Sequence, residues 1–179
     1  MQDTAAGEEG AVYETAEDLI ALRDLLDRSY ARAGAHLRSI FTPERRIGAD
    51  DLVALLPGVQ VLNLATVSRA CAPRVAPVDG LFYRGRFWFG SAAASVRFVH
   101  LRERPQVSAS HTRGEALAVV VHGTAALIEA GDPAQAGFAT YYREVYGFGW
   151  EEWDLPVQFA RIDATRLYTY RTGRDDGAA

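Results

Sequence analysis

The sequence predicts a mainly β protein, a small antiparallel barrel carried behind an N-terminal helical extension. Three observations predict it. Apolar residues at helical spacing open the chain and fill its first third. Beyond residue 58, seven or eight short apolar stretches follow one another, most joined by hairpin-length turns. Only one helical segment interrupts them late, which favours a barrel over the strand–helix alternation of a doubly wound sheet.

The elements divide the chain into four parts. Residues 1–15 are acidic and polar and read as a disordered N-terminus, the opposite of a basic, apolar signal peptide. Residues 16–57 form the extension. Thr15-Ala16-Glu17-Asp18 is a capping box, and Leu19, Leu22 and Leu26 with Ile20 and Leu25 carry the helix toward Ala33. Thr42-Pro43 starts a second helix, with proline at its first position. Ala49 to Leu56 makes a third, stopped by Pro57-Gly58.

Residues 58–172 form the barrel. Val59–Val67 and Pro73–Asp79 are strands around a turn at Ser68–Ala72, and Leu81–Tyr83 and Arg86–Phe89 flank a two-residue hairpin turn at Arg84-Gly85. Gln106–Ser110 and Ala116–Glu129 follow, the latter with a bulge or close contact at Gly123. Asp132-Pro133 opens a helix to Tyr146, and strands Val157–Ile162 and Arg166–Arg171 close the domain. Residues 173–179 read as a disordered tail.

Composition narrows the chemistry. A chain of 179 residues with 49% hydrophobic and 23% charged residues is one globular domain. A net charge of −4 argues against nucleic acid as a partner, and no apolar run reaches the ~18 residues of a membrane span. Cys71 is the single cysteine, which excludes a disulfide framework and points to the cytoplasm. All 19 basic residues are arginine. Without lysine there is neither a Schiff base nor a P-loop cation, so arginine, hydroxyls and backbone N–H groups must hold any phosphate.

Catalytic signatures are scarce. His36, His100, His111 and His122 lack metal-ligand spacing, and Ser91 and Ser95 lie in no nucleophile elbow. The protein therefore binds without chemistry or takes its chemistry from a cofactor. The stretch from Gly90 to Pro105 offers a place for one. Gly90 to Ala94 are small enough for a ligand to approach the backbone. Ser95 caps a helix over Val96–Arg104 whose N-terminus suits an anion. Arg97 stands in its first turn, where the helix dipole disfavours a cation unless an anion is near. A capped surface helix with a solvated arginine is the plain alternative.

The wider pattern decides more. The run "LATVSRACAPRVAPVDGLFYRGRFWFGSAAASVRFVHLRERPQVSASH", continued by "VVVHGTAALIE", resembles the flavin-binding split-barrel family of pyridoxamine phosphate oxidase-like proteins, in its actinobacterial FMN- or deazaflavin-dependent branch. The likeness spans about residues 59 to 171. It implies a split β-barrel of the FMN-binding type, a homodimer, and a small-molecule substrate oxidised or reduced by hydride transfer. It places Arg97, Ser91 and Arg74 on the cofactor phosphate; Gly90 and Ser95, read from the small strand end and the helix cap, are counted with them as cofactor-binding. Backbone of Val75, Ala76, Pro77 and Val78 lies along the ring, and His111 lies near the cofactor or the dimer interface. The cofactor is FMN or a deazaflavin coenzyme of the F-420 type. Arg23, Arg28, Arg32, Arg38, Arg45 and Arg46 offer an anionic deazaflavin tail a basic groove, or form a solvated helix face. Tyr142, Tyr146, Trp150 and Trp153 wall the substrate side or serve as core.

Two departures separate the chain from the parent enzyme. Ala118 replaces a glutamine near the flavin, and "RIDATRLYTY" lacks the Arg-x-His that grips the substrate phosphate. The alternative function is a haem-binding or non-catalytic ligand-binding barrel, with His111 or His122 as axial ligand.

Overall fold

The computed structural model describes residues 13–129 and 131–172. Six strands form one closed antiparallel barrel: β1 (Val59–Val67), β2 (Pro73–Tyr83), β3 (Arg86–Ala92), β4 (Gln106–Arg113), β5 (Leu117–Ile128) and β6 (Val157–Arg171), in the order β1-β2-β3-β6-β5-β4. Helices α1 (Ala16–Ala31), α2 (Ala35–Ile40) and α3 (Ala49–Leu55) precede it, α4 (Val96–Glu103) joins β3 to β4, and α5 (Pro133–Tyr146) joins β5 to β6. Among the described residues, no helix is long and apolar enough to cross a membrane.

Local signals match their elements. Thr15 Oγ1 accepts from the Asp18 amide at 3.2 Å and Asp18 Oδ2 accepts from the Thr15 amide at 2.9 Å, closing the capping box. Arg84 and Gly85 both have positive φ, 51° and 70°, as a two-residue hairpin of this hand requires. The β5 ladder shifts register between His122 and Gly123. A Cβ on Gly123 would sit 2.3 Å from the Asp163 carbonyl oxygen, so the bulge is also a close contact.

The strand count is six because two expected breaks do not occur. Gly80 does not turn the chain: it pairs with Gln60 on one side and Phe89 on the other, joining Pro73–Asp79 to Leu81–Tyr83. The last two expected strands are one, because β3 and then β5 supply ladder partners along β6. In the extension, Thr42-Pro43 opens only a single 3₁₀ turn, Pro43–Arg45, and the helix lies earlier, at Ala35–Ile40. Residues 1–12 and 173–179, read as disordered, lie outside the described residues. Tyr13 and Glu14, read with them, pack: Tyr13 meets the rings of Tyr83 and Tyr141, and Glu14 accepts from the Gly85 amide.

Two cores result. The barrel interior, closed by α1 and α3, buries Leu62, Phe89, Phe98, Val119, Ile162 and Leu167 with Leu22, Leu26 and Leu52. Past Arg161, β6 has lost β3 as a neighbour, and α1 covers that edge. Ser29 Oγ accepts from the Leu167 amide at 2.9 Å, and the Tyr30 hydroxyl accepts from the Thr169 amide at 2.9 Å. Helix side chains thus satisfy strand N–H groups that would otherwise be buried unpaired. The second core lies outside the barrel, where α5 presses Phe138, Tyr141 and Tyr142 onto Leu81, Tyr83, Trp88 and Phe159.

Candidate functional site

Alternation along β2 sorts its side chains. Thr66 pairs with Arg74, Leu64 with Ala76 and Leu62 with Val78, which puts Arg74, Ala76 and Val78 on the inner face; Val75, Pro77 and Asp79 take the outer one. On that outer face, between β2, β3 and α5, lies a cavity of about 500 Å³. Pro77, Asp79, Gly90 and Ser91 line its strand side; Tyr142 and Tyr146, one turn apart on α5, line the other, with Trp153 at the rim.

Arg97 closes one end. It stands in the first turn of α4 and its Nη2 donates to the Pro77 carbonyl at 3.0 Å, tying α4 to β2. Burial pulls its pKa below the ordinary guanidinium value, and among the described residues it makes no ion pair. It also borders a second, smaller cleft of about 180 Å³ with Thr66, Arg74, Ala76, Ser95 and His100. There Thr66 Oγ1 bonds His100 Nδ1 at 2.9 Å, while Ser95 Oγ is buried without a partner among the described residues. Ser95 takes the N-cap position, but its hydroxyl does not cap. A positive group without a counter-charge, next to an unsatisfied hydroxyl and a helix N-terminus, is built to receive an anion.

The rest of the lining is aromatic and acidic. Tyr142 and Tyr146 stack at 4.4 Å, and the Tyr142 hydroxyl accepts from Trp153 Nε1 at 3.2 Å. Burial, and next the Asp79 carboxylate, push the Tyr146 phenol well above its usual range, so it keeps its proton at neutral pH. Trp88, stacked on Phe138 at 4.4 Å, lines the cavity wall, and its Nε1 is buried without a partner among the described residues.

The structure gathers most of the sequence-derived residues. Pro77, Val78, Gly90, Ser91 and Arg97 line the large cavity; Arg74, Ala76 and Ser95 line the adjoining cleft. Val75 lines neither and faces solvent. His111 also lines neither: it is buried within β4, with Nδ1 bonded to the Val61 carbonyl and Nε2 unpartnered among the described residues. Gly90 is small for an internal reason, since a Cβ there would meet the Phe159 ring at 2.5 Å. Of the four aromatics, Tyr142, Tyr146 and Trp153 reach the cavity, while Trp150 packs on Phe159. None of the six extension arginines does; Arg23 pairs with Asp50 at 2.8 Å and Arg46 lies over the Tyr30 ring. Asp79 and Trp88 are the two polar-bearing cavity residues that sequence reasoning passed over, along with apolar wall residues such as Leu81 and Phe138. Asp79 follows Pro77 by two, and strand alternation alone puts both on one face.

No group of His, Cys, Asp and Glu side chains among the described residues could hold a metal ion. The cavity lining offers one guanidinium, aromatic surface and one carboxylate.

Solved structures share this fold at low sequence identity. A conserved hypothetical protein of Mycobacterium tuberculosis superposes with a TM-score of 0.60 at 18% identity, over 72% of this chain and 88% of that one. A FAD-binding protein of Mesorhizobium loti gives 0.55 at 21%, over 72% and 98%. The haem storage protein HutZ of Vibrio cholerae gives 0.54 at 17%, over 62% and 86%. No curated protein matches the chain. The family described as pyridoxamine 5'-phosphate oxidase matches residues 49–171, which take in α3 and all six strands. The barrel is therefore the split barrel that the sequence resemblance implied, and the chain belongs to the pyridoxamine 5'-phosphate oxidase family.

Proposed function

We propose that the cavity holds a flavin, FMN or a deazaflavin coenzyme of the F-420 type, and that the protein is a cytoplasmic oxidoreductase moving a hydride to or from a small organic molecule. The observation that carries this is Arg97, a partly desolvated cation without an ion pair among the described residues, at the end of an apolar chamber. Arg97, Ser91, Arg74 and the free Ser95 hydroxyl are the groups to hold a phosphate, and Pro77 and Val78 offer the flanking strand surface. A bound flavin supplies the hydride chemistry through its ring. The chain's own part is to fix the anion at Arg97, to keep a protonated hydroxyl at Tyr146, and to exclude water with Trp88 and Phe138. FMN takes precedence over the deazaflavin, because none of the extension arginines reaches the cavity. The haem reading has less support: neither His111 nor His122 lines it.

The visible and mass spectra of the small molecule that purifies with the protein test the proposal. A flavin or deazaflavin band is expected. A Soret band, with no affinity for either coenzyme, overturns it in favour of haem storage.

The parent reaction is not expected. Among the described residues, Arg97 is the one cation lining the cavity, and Asp79 is a carboxylate in the same wall. With Arg97 committed to the cofactor, a phosphorylated substrate forfeits the ~1.5–3 kcal/mol of a charged hydrogen bond and meets a like charge instead. The FMN-loaded protein should form no pyridoxal phosphate from pyridoxamine phosphate under multiple turnover. Robust turnover at micromolar substrate would restore the parent activity.

A second copy of the chain should complete the site. Val61 and Val75 are exposed on the outer face of β1 and β2, and Val96 and Val99 are exposed on the neighbouring α4. A two-fold dimer covering this face is expected to bury about 2,000 Å² or more. Light scattering at micromolar concentration checks it, and a monomer contradicts it.

A further inference from the structure

The cavity lining carries one group of each charge, Arg97 and Asp79. Tyr142, Tyr146 and Trp153 line the same cavity. Asp79 projects from the outer face of β2, where its cross-strand neighbour on β1 is the apolar Val61. It makes no ion pair with any described residue. What faces it is the Tyr146 hydroxyl, from the stacked Tyr142–Tyr146 pair on α5, with the partly exposed Trp153 ring at the rim. A carboxylate set among aromatic faces is the arrangement that binds an organic cation, since ring quadrupole and negative charge both attract it. A neutral ligand gains only the apolar contact, and an anion is repelled.

We propose that the part of the cavity around Asp79 is the substrate pocket and that it selects a small organic ammonium compound, the protonated nitrogen held by the Asp79 carboxylate against the Tyr142, Tyr146 and Trp153 rings. The inference deepens the flavin reading, in which Arg97 takes the cofactor's anionic group and leaves the Asp79 carboxylate to the substrate.

Calorimetric titration of the full chain, as purified and after FMN loading, with benzylammonium, benzyl alcohol and benzoate tests this. The three probes share a ring and differ in charge. Benzylammonium should bind ~10-fold or more tighter than benzyl alcohol, the scale of one charge-assisted contact, and benzoate should not compete in the FMN-loaded protein. Asp79→Asn should erase the difference between cation and alcohol while leaving alcohol binding in place, and Asp79→Glu should retain it. Equal binding of cation and alcohol by the wild type, or a preference that survives Asp79→Asn, overturns the proposal. Parallel titration with FMN alone separates the two readings. A wild type that ignores FMN yet prefers benzylammonium loses the flavin reading and keeps this one. A wild type that binds FMN without the preference loses this one alone.

Discussion

Alanine at Phe138 should destabilise the protein by about 3–5 kcal/mol, the range for removing a fully buried aromatic ring. Phe138 is 1% exposed at the centre of the outer core. Its ring stacks on Trp88 at 4.4 Å, meets Phe159 edge-on at 5.4 Å and reaches Tyr83 at 5.7 Å. These contacts hold α5 on the outside of the barrel, where none of the barrel ladder's hydrogen bonds can substitute for lost packing. Because Tyr142 and Tyr146 ride on the same helix, the substitution should also loosen the cavity wall and weaken ligand binding. Phe138→Leu, which keeps most of the volume, should recover much of the stability. Denaturant unfolding measures both. A loss below about 1 kcal/mol for Phe138→Ala would mean that α5 does not rely on this ring.

Arg97→Ala should weaken FMN binding about 10- to 100-fold, the equivalent of one charge-assisted hydrogen bond of ~1.5–3 kcal/mol. The fold should survive, because the side chain's protein contact is a single bond to the Pro77 carbonyl at a half-exposed position. Arg97→Lys should restore part of the affinity, since charge returns without the planar fork. Affinity of the wild type should fall with added salt, and that of Arg97→Ala should fall less. Ser91→Ala should show a smaller loss, a neutral donor contributing less than a charged one. Fluorescence titration reads all four. Affinity unchanged in both Arg97→Ala and Ser91→Ala would remove the phosphate role from this end of the cavity.

Legibility followed the range of the signal. The capping box at Thr15, the turn at Arg84-Gly85, the bulge at Gly123 and the start of α5 at Asp132-Pro133 stand where the sequence put them. The bulge shows in the sequence only as a glycine inside a strand. The others each depend on one residue's backbone preference or on a hydrogen bond within four positions, so neighbouring residues suffice to encode them. The same holds for Arg97 in the first turn of α4, the observation that led to the site. The second helix was misplaced for the converse reason. Proline at 43 fixes one φ angle, but the segment after it makes only one 3₁₀ turn before Arg46 returns to extended backbone.

What the sequence determined by itself is the barrel class, the family and most of the residues that the structure gathers around the cavity and its adjoining cleft. The tertiary structure alone decided how long the strands run, what covers their edges and which aromatic and acidic side chains share the cavity. Residues 163–165 read as a break, yet β6 passes through them, because β5 offers ladder partners on both sides and the bulge at His122/Gly123 takes up the mismatch. Ser29 and Tyr30 carry no local sign that they will satisfy amides of Leu167 and Thr169, 138 and 139 positions away. Asp79 and Tyr146 likewise lie on separate elements, and only the docking of α5 through Phe138 brings them into one wall. Backbone preference is set by adjacent residues, whereas a site's charge and shape are set by which faces meet. That meeting is fixed by burying two apolar surfaces at once, and no single segment carries it.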